Sequence, residues 1–197
     1  MAKNKHLLKL RNMYVDPTTF VERIANDLVG DSLFNDARNG LFLAGQRADK
    51  KPLMSCLKTA LEQRGILVMC VEFFPSPEWS IPSQINAVLC AAHEKVNPGK
   101  AESFKGLTLA ESFKLLHEQS GKRLALIIDE AQHALGTSDG ENVMFALKSA
   151  RDQLRERGWP QLLLVLSSSS KEALSPIVDS INAPFWGSFI IDFPEVS

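Results

Sequence analysis

The chain has 197 residues, 45% of them apolar and 23% charged, with a formal net charge of −1. That is enough for one domain with a full core, and too balanced to draw the whole molecule to nucleic acid or an anionic membrane. No apolar run approaches the roughly 18 residues of a membrane span, and the N-terminus lacks the apolar stretch of a signal peptide, so a cytoplasmic protein without a membrane partner is expected.

Lys3, Lys5, Lys9 and Arg11 cluster beside His6. Residues 1–15 therefore read as a basic tail, solvated or, as the alternative, an arm for nucleic acid. The folded domain is expected over 16–197. Asp16-Pro17 is an N-cap followed by the proline-tolerant first helical position; Phe20, Ile24 and Leu28 share a face, and Gly30 closes the helix. After a polar loop over 31–40, Leu41-Phe-Leu-Ala-Gly45 is a short buried strand. A loop over 46–51 leads to a helix with Leu53, Leu57, Ala60 and Leu61 on one side, ended by Gly65. Residues 66–73, rich in Val, form a second strand.

Pro75-Ser-Pro77 breaks the pattern before a helix marked by Ile85, Val88, Leu89 and Ala92. Residues 97–106 are an exposed connection. Thr108-Leu-Ala-Glu111 is a capping box for a helix that turns Phe113 and Leu116 inward. The third strand follows Gly121, residues 136–140 are a polar turn, and Val143, Leu147, Ala150 and Leu154 mark a helix through Arg157. Residues 161–166 are the fourth strand, ending in a run of serines from Ser167 to Ser170. A helix from Lys171 is disturbed by Pro176, and 189–193 are a last strand. Strands alternating with helices predict a parallel sheet in a three-layer α/β domain. The three cysteines, Cys56, Cys70 and Cys90, are too widely spaced for a metal knuckle; each lies in an apolar segment, so buried free thiols are expected.

The stretch with chemistry in it is Leu124-Ala-Leu-Ile-Ile-Asp-Glu-Ala-Gln132. Its apolar run suits a strand buried on both faces, and Asp129 and Glu130 stand where it ends. Ligands of open α/β sheets sit beyond the carboxyl ends of the strands. Paired acids there can hold a divalent cation with one group and orient a water with the other; a charged strand end turning into solvent is the plainer alternative. Upstream, the first strand leads into Gly45-Gln-Arg-Ala-Asp-Lys-Lys-Pro52. A phosphate loop, Gly-x-x-x-x-Gly-Lys-Ser/Thr, would need a glycine where Lys50 stands and a hydroxyl where Pro52 stands.

Strand, loop, acidic strand end and serine run together resemble the AAA+ family of P-loop ATPases, bacterial and phage ATP-binding proteins in particular, from Phe20 to Phe193. The resemblance implies a P-loop NTPase sheet of order 5-1-4-3-2, with ATP and Mg2+ as ligands. By position it implies that Gly45, Lys50 and Lys51 form the phosphate loop, with Lys51 on the phosphates. Asp129 would hold magnesium, Glu130 would orient the attacking water, and Ser167 or Ser168 would be the polar sensor. Lys50 lacks glycine's freedom, Pro52 offers neither hydroxyl nor N–H, and residues 171–188 hold no arginine for a finger. Asp49 adds a carboxylate, worth roughly 4 kcal/mol of repulsion at about 4 Å from another negative charge at an effective dielectric near 20. The sequence ends where the family's helical lid would begin.

Two functions follow. One is a regulatory or assembly pseudo-ATPase that binds nucleotide weakly and works through a protein partner or a homo-oligomer. The other is an active ATPase with an eccentric loop. A helicase fragment is a third option, since Asp129-Glu-Ala-Gln132 resembles the helicase Asp-Glu-Ala box, but no second helicase domain is present. His133 reads as a helix-start or strand-end residue rather than a catalytic base. Arg151, Arg155 and Arg157, with the pair Lys148 and Asp152, read as a solvated helix face, and Trp79, Trp159 and Trp186 as packing at loop and strand edges.

Overall fold

A computed structural model describes residues 16–30, 40–45, 47–98, 104, 106–156 and 159–193, with 47–49 described in their backbone only. The basic tail 1–15, the loop 31–39, most of the 97–106 connection, the side chain of Asp49 and Arg157 lie outside the described residues.

Helix α1 (Pro17–Val29) starts where Asp16 accepts the Thr19 N–H and stops at Gly30, which takes the left-handed conformation at φ 92°. Strand β1 (Leu41–Ala44) and helix α2 (Arg47–Gln63) follow, then β2 (Leu67–Glu72), α3 (Ile81–Val96), α4 (Leu109–Ser120) and β3 (Leu124–Asp129). A 3-10 turn, Ala131–Ala134, leads to α5 (Ser138–Gln153). The last two strands of the sheet are β4 (Leu162–Ser168) and β5 (Ile190–Asp192), with the short helix α6 (Lys171–Leu174) between them. All pairings in the sheet are parallel and the order is β2-β3-β4-β1-β5, the expected 5-1-4-3-2.

Side-chain alternation divides the core. Leu41, Leu43, Ala125, Ile127, Leu163 and Val165 face α1 and α2. Phe42, Leu124, Leu126, Ile128, Leu164 and Leu166 face α3, α4 and α5. Strands β1 and β4 are buried along their whole length, as continuous apolar runs between two helical layers require. At about 1.5–3 kcal/mol for each large side chain, this burial is the main term holding the domain together. The capping box at Thr108 and Glu111 forms as expected.

Five expectations are corrected. Helix α2 begins at Arg47, so the loop expected over 46–51 is largely helix, and Pro52 lies inside it at the cost of one i→i−4 hydrogen bond. Thr137 caps α5 by accepting the Gly140 N–H at 3.2 Å, so the turn expected over 136–140 is already helical from Ser138. That helix ends at Gln153, because Arg155–Glu156 pairs antiparallel with Trp159–Pro160. All three cysteines are exposed: Cys70 is on the edge strand β2, Cys56 and Cys90 on outward helix faces. Arg151, expected in solvent, is buried, bonded to Asp152 at 2.7 Å and stacked over the Phe185 ring. The Lys148–Asp152 pair forms at 3.1 Å. No helix among the described residues is long and apolar enough to cross a membrane.

Candidate functional site

Parallel pairing brings the carboxyl ends of β1, β3 and β4 to one edge of the sheet. Ile128 pairs with Leu166 in register, which sets Asp129 beside Ser167. The Ser167 hydroxyl, fully buried, donates to Asp129 Oδ1 at 2.6 Å, and the Glu130 N–H donates to the same oxygen at 2.8 Å. Glu130 has φ 53°, and among the described residues no other non-glycine has a positive φ. A left-handed residue with a side chain costs about 1–2 kcal/mol, so strain is concentrated where the acids stand.

The third member is Lys50, with a side-chain exposure of 0%. Its Nζ lies 2.7 Å from Asp129 Oδ1 and donates to Glu130 Oε1. Gln132 Nε2 donates to the other Glu130 oxygen. One ammonium thus bridges both carboxylates in a desolvated place, and hydrogen bonds occupy the oxygens that face it. Burial alone would push the Glu130 carboxyl up; bonds from Lys50 and Gln132, and the Lys50 charge, outweigh it against Asp129 and hold Glu130 below the ordinary carboxylate range.

The sign of that shift gives a pH dependence. A carboxyl whose folded pKa is depressed binds fewer protons folded than unfolded near pH 4, so its stabilisation is complete above the unfolded value of about 4.3 and is lost as pH falls through the folded one. Urea midpoints measured from pH 7 to pH 3 should fall on the acid side. Glu130→Gln should flatten part of that limb; an unchanged limb would mean that Glu130 does not couple to folding.

Lys51 goes elsewhere. Adjacent helical residues point about 100° apart, and Lys51 Nζ reaches Glu72 at 3.2 Å on the surface. The structure brings Lys50, and not Lys51, to the acids. Gly45 has its N–H on the Ser168 carbonyl at 3.1 Å, and a Cβ there would come within 2.9 Å of Phe193. The glycine is required by the close pass of Phe193. Ser168 is buried, and its hydroxyl oxygen accepts the Ser170 N–H at 3.4 Å. His133 is exposed on the 3-10 turn. Gln132 escaped sequence reasoning as a site residue, although it sits in the Asp129-Glu-Ala-Gln132 box.

Among the described residues no cluster of three or more His, Cys, Asp or Glu side chains could hold a metal ion. A nucleotide with magnesium does not fit these residues as they stand. The segment that would cradle phosphate is helix from Arg47, the Gly45 N–H is used within the fold, and the Lys50 ammonium occupies the carboxylates that a cation would need.

No protein-family model and no curated protein sequence matches the chain. Among solved structures it is similar to the Aeropyrum pernix ORC1 protein in complex with DNA, at a TM-score of 0.53 and 19% identity, over 92% of this chain and 44% of that one. The chain thus spans less than half the length of that neighbour. The likeness is one of fold: an α/β domain on a five-stranded parallel sheet, of the kind expected from the sequence.

Proposed function

We propose that this chain is a regulatory or assembly module of the pseudo-ATPase kind, in which an AAA+-type fold is kept and nucleotide is bound weakly. The observation that carries the reading is the buried Lys50 bridging Asp129 and Glu130. An internal ammonium offsets one of the two negative charges and bridges both acids, in the place a bound cation would otherwise take. Displacing it would strand a buried charge or two carboxylates, and the penalty for breaking a buried pair, about 3–5 kcal/mol, is subtracted from any affinity a nucleotide could gain. Pro52, where magnesium would need a hydroxyl, adds to the same argument. Such a module works through a protein partner or a homo-oligomer. The neighbour of similar fold is in complex with DNA, and DNA is a partner to test for this chain too.

The second reading, an active ATPase with an unusual loop, is favoured by the strained Glu130 and the Ser167–Asp129 hydrogen bond. It requires Lys50 to leave the acids for the phosphates. Calorimetric titration with ATP, with and without Mg2+, separates the two. We expect weak binding that magnesium does not improve; magnesium-dependent binding at micromolar Kd or better, with turnover lost in Glu130→Gln, would establish the second reading.

A further inference from the structure

After β2 the chain crosses the carboxyl edge of the sheet and presents two aromatic rings to solvent. Phe74 is 42% and Trp79 45% exposed, and their ring centroids lie 5.9 Å apart at 55°. Large aromatics this exposed in contact with each other are unusual unless they meet something. The loop that carries them is built. Gln84 of α3, only 2% exposed, donates through Nε2 to the carbonyls of Phe74 and Trp79, each at 2.9 Å, and accepts the Phe74 N–H at 3.3 Å. The Ser76 hydroxyl oxygen accepts the N–H groups of Glu78 and Trp79, both at 3.2 Å. One buried amide thus clamps the main chain at both aromatic positions, which fixes the rings before any partner arrives.

The opposite wall comes from the turn after Glu130 and the start of α5, through His133, Thr137 and Asp139. Between the walls lies an open groove of about 520 Å³, lined also by Pro75 and Pro77. This is within the size of sites that hold a few side chains. Among the described residues no lysine or arginine lines it, whereas Asp139 does and Glu78 stands beside Trp79 on the loop. The charge therefore opposes a polyanion and complements a cation.

We propose that this groove is a docking site for a proline-containing peptide segment of a protein partner, with a basic residue beside the prolines. Proline rings pack flat on Trp and Phe faces, and a polyproline II segment arrives already extended, with little order left to impose. Such a segment displays carbonyls that the Trp79 indole N–H and the Ser76 hydroxyl can meet. Its basic residue pairs with Asp139 and Glu78. The proposal does not rest on the nucleotide reading: its aromatic and acidic residues lie outside the network of Lys50, Asp129 and Glu130, and His133 meets that network only through its backbone N–H, which donates to the Glu130 carbonyl at 3.0 Å.

The test is fluorescence anisotropy with the full chain and a labelled peptide carrying two Pro-Pro pairs and an arginine at each end. The controls are the same peptide with alanine for proline, the same peptide with glutamate for arginine, and labelled oligo-dT. Saturable binding is expected, weakened about tenfold or more by Trp79→Ala or Phe74→Ala, as for exposed aromatic anchors. Asp139→Asn with Glu78→Gln should reduce affinity severalfold and flatten its salt dependence. Melting curves confirm that the surface variants fold. The proposal is overturned by absent binding, by equal binding of the alanine peptide, or by indifference to Trp79→Ala. Preferential oligo-dT binding that Trp79→Ala removes would overturn it in favour of nucleic acid. A dimer in light scattering that Trp79→Ala dissociates, without peptide binding, would overturn it in favour of a second copy of the chain.

Discussion

Lys50→Met is expected to destabilise the domain by about 3–5 kcal/mol, the usual cost of removing one partner from a buried ion pair. The side chain is fully buried and lies against both acids. Methionine fills similar volume, so the loss is electrostatic rather than a cavity. Lys51→Met is the control: its partner Glu72 is 43% exposed and Lys51 itself 58%, and exposed pairs contribute about 0–1 kcal/mol. Adding Asp129→Asn and Glu130→Gln to Lys50→Met should return most of the stability, because a buried network replaced by neutral groups is often neutral overall.

The pH profile of the single variant should invert. Without the ammonium, two neighbouring desolvated carboxylates raise at least one folded pKa above its unfolded value. The folded state then binds more protons than the unfolded one, so stability increases as pH falls through the raised pKa, opposite to the wild-type trend. Urea denaturation at pH 7 and pH 5 on wild type, Lys50→Met and Lys51→Met reads both effects. Equal losses for the two lysine variants would remove Lys50 from the centre of the site.

Much of this was legible in the sequence, for identifiable reasons. The strands announced themselves because a parallel sheet covered on both sides needs unbroken apolar runs, and residues 124–128 and 162–166 are such runs. The helix caps at Asp16, Gly30 and Thr108 carry their mechanism in the residue type. Lys50 was harder. Aligning the segment with a phosphate loop makes it a defective glycine in a loop. Its helical spacing says something else: Lys50 stands three residues before Leu53 and seven before Leu57, on the buried stripe of α2. A lysine on that stripe needs a buried acid, and the pair Asp129-Glu130 was the available one. The cysteines misled for the complementary reason, since an apolar segment has an outer face, and Cys56 and Cys90 fall on it.

Gly140→Ala shows how tightly the turn behind the acids is held. Gly140 lies in the first turn of α5 with no positive φ, so alanine would ordinarily stabilise the helix by about 0.5–1 kcal/mol. Here a Cβ would stand 2.0 Å from the Ala134 carbonyl oxygen and 2.6 Å from its carbon, both backbone atoms. No side-chain rotation relieves that contact. Either α5 moves away from the 3-10 turn or the turn itself gives way. We expect a loss of about 3 kcal/mol, at the upper end of overpacking costs, which is roughly 6–12 °C in Tm for a chain of this size. Gly136→Ala is the matched control. It has φ 84° and open space around it, so its cost is confined to backbone strain of about 1–2 kcal/mol. The two mechanisms separate at the acids. The turn pushed by residue 140 carries Gln132, which bonds Glu130, so Gly140→Ala should also shift the acid limb that Glu130 contributes, and Gly136→Ala should leave it in place. Urea curves with an unchanged m-value, collected at pH 7 and near pH 4, would show both. A Gly140→Ala protein as stable as wild type would mean that α5 can slide freely over the turn, and the close approach of Ala134 would then have no structural consequence.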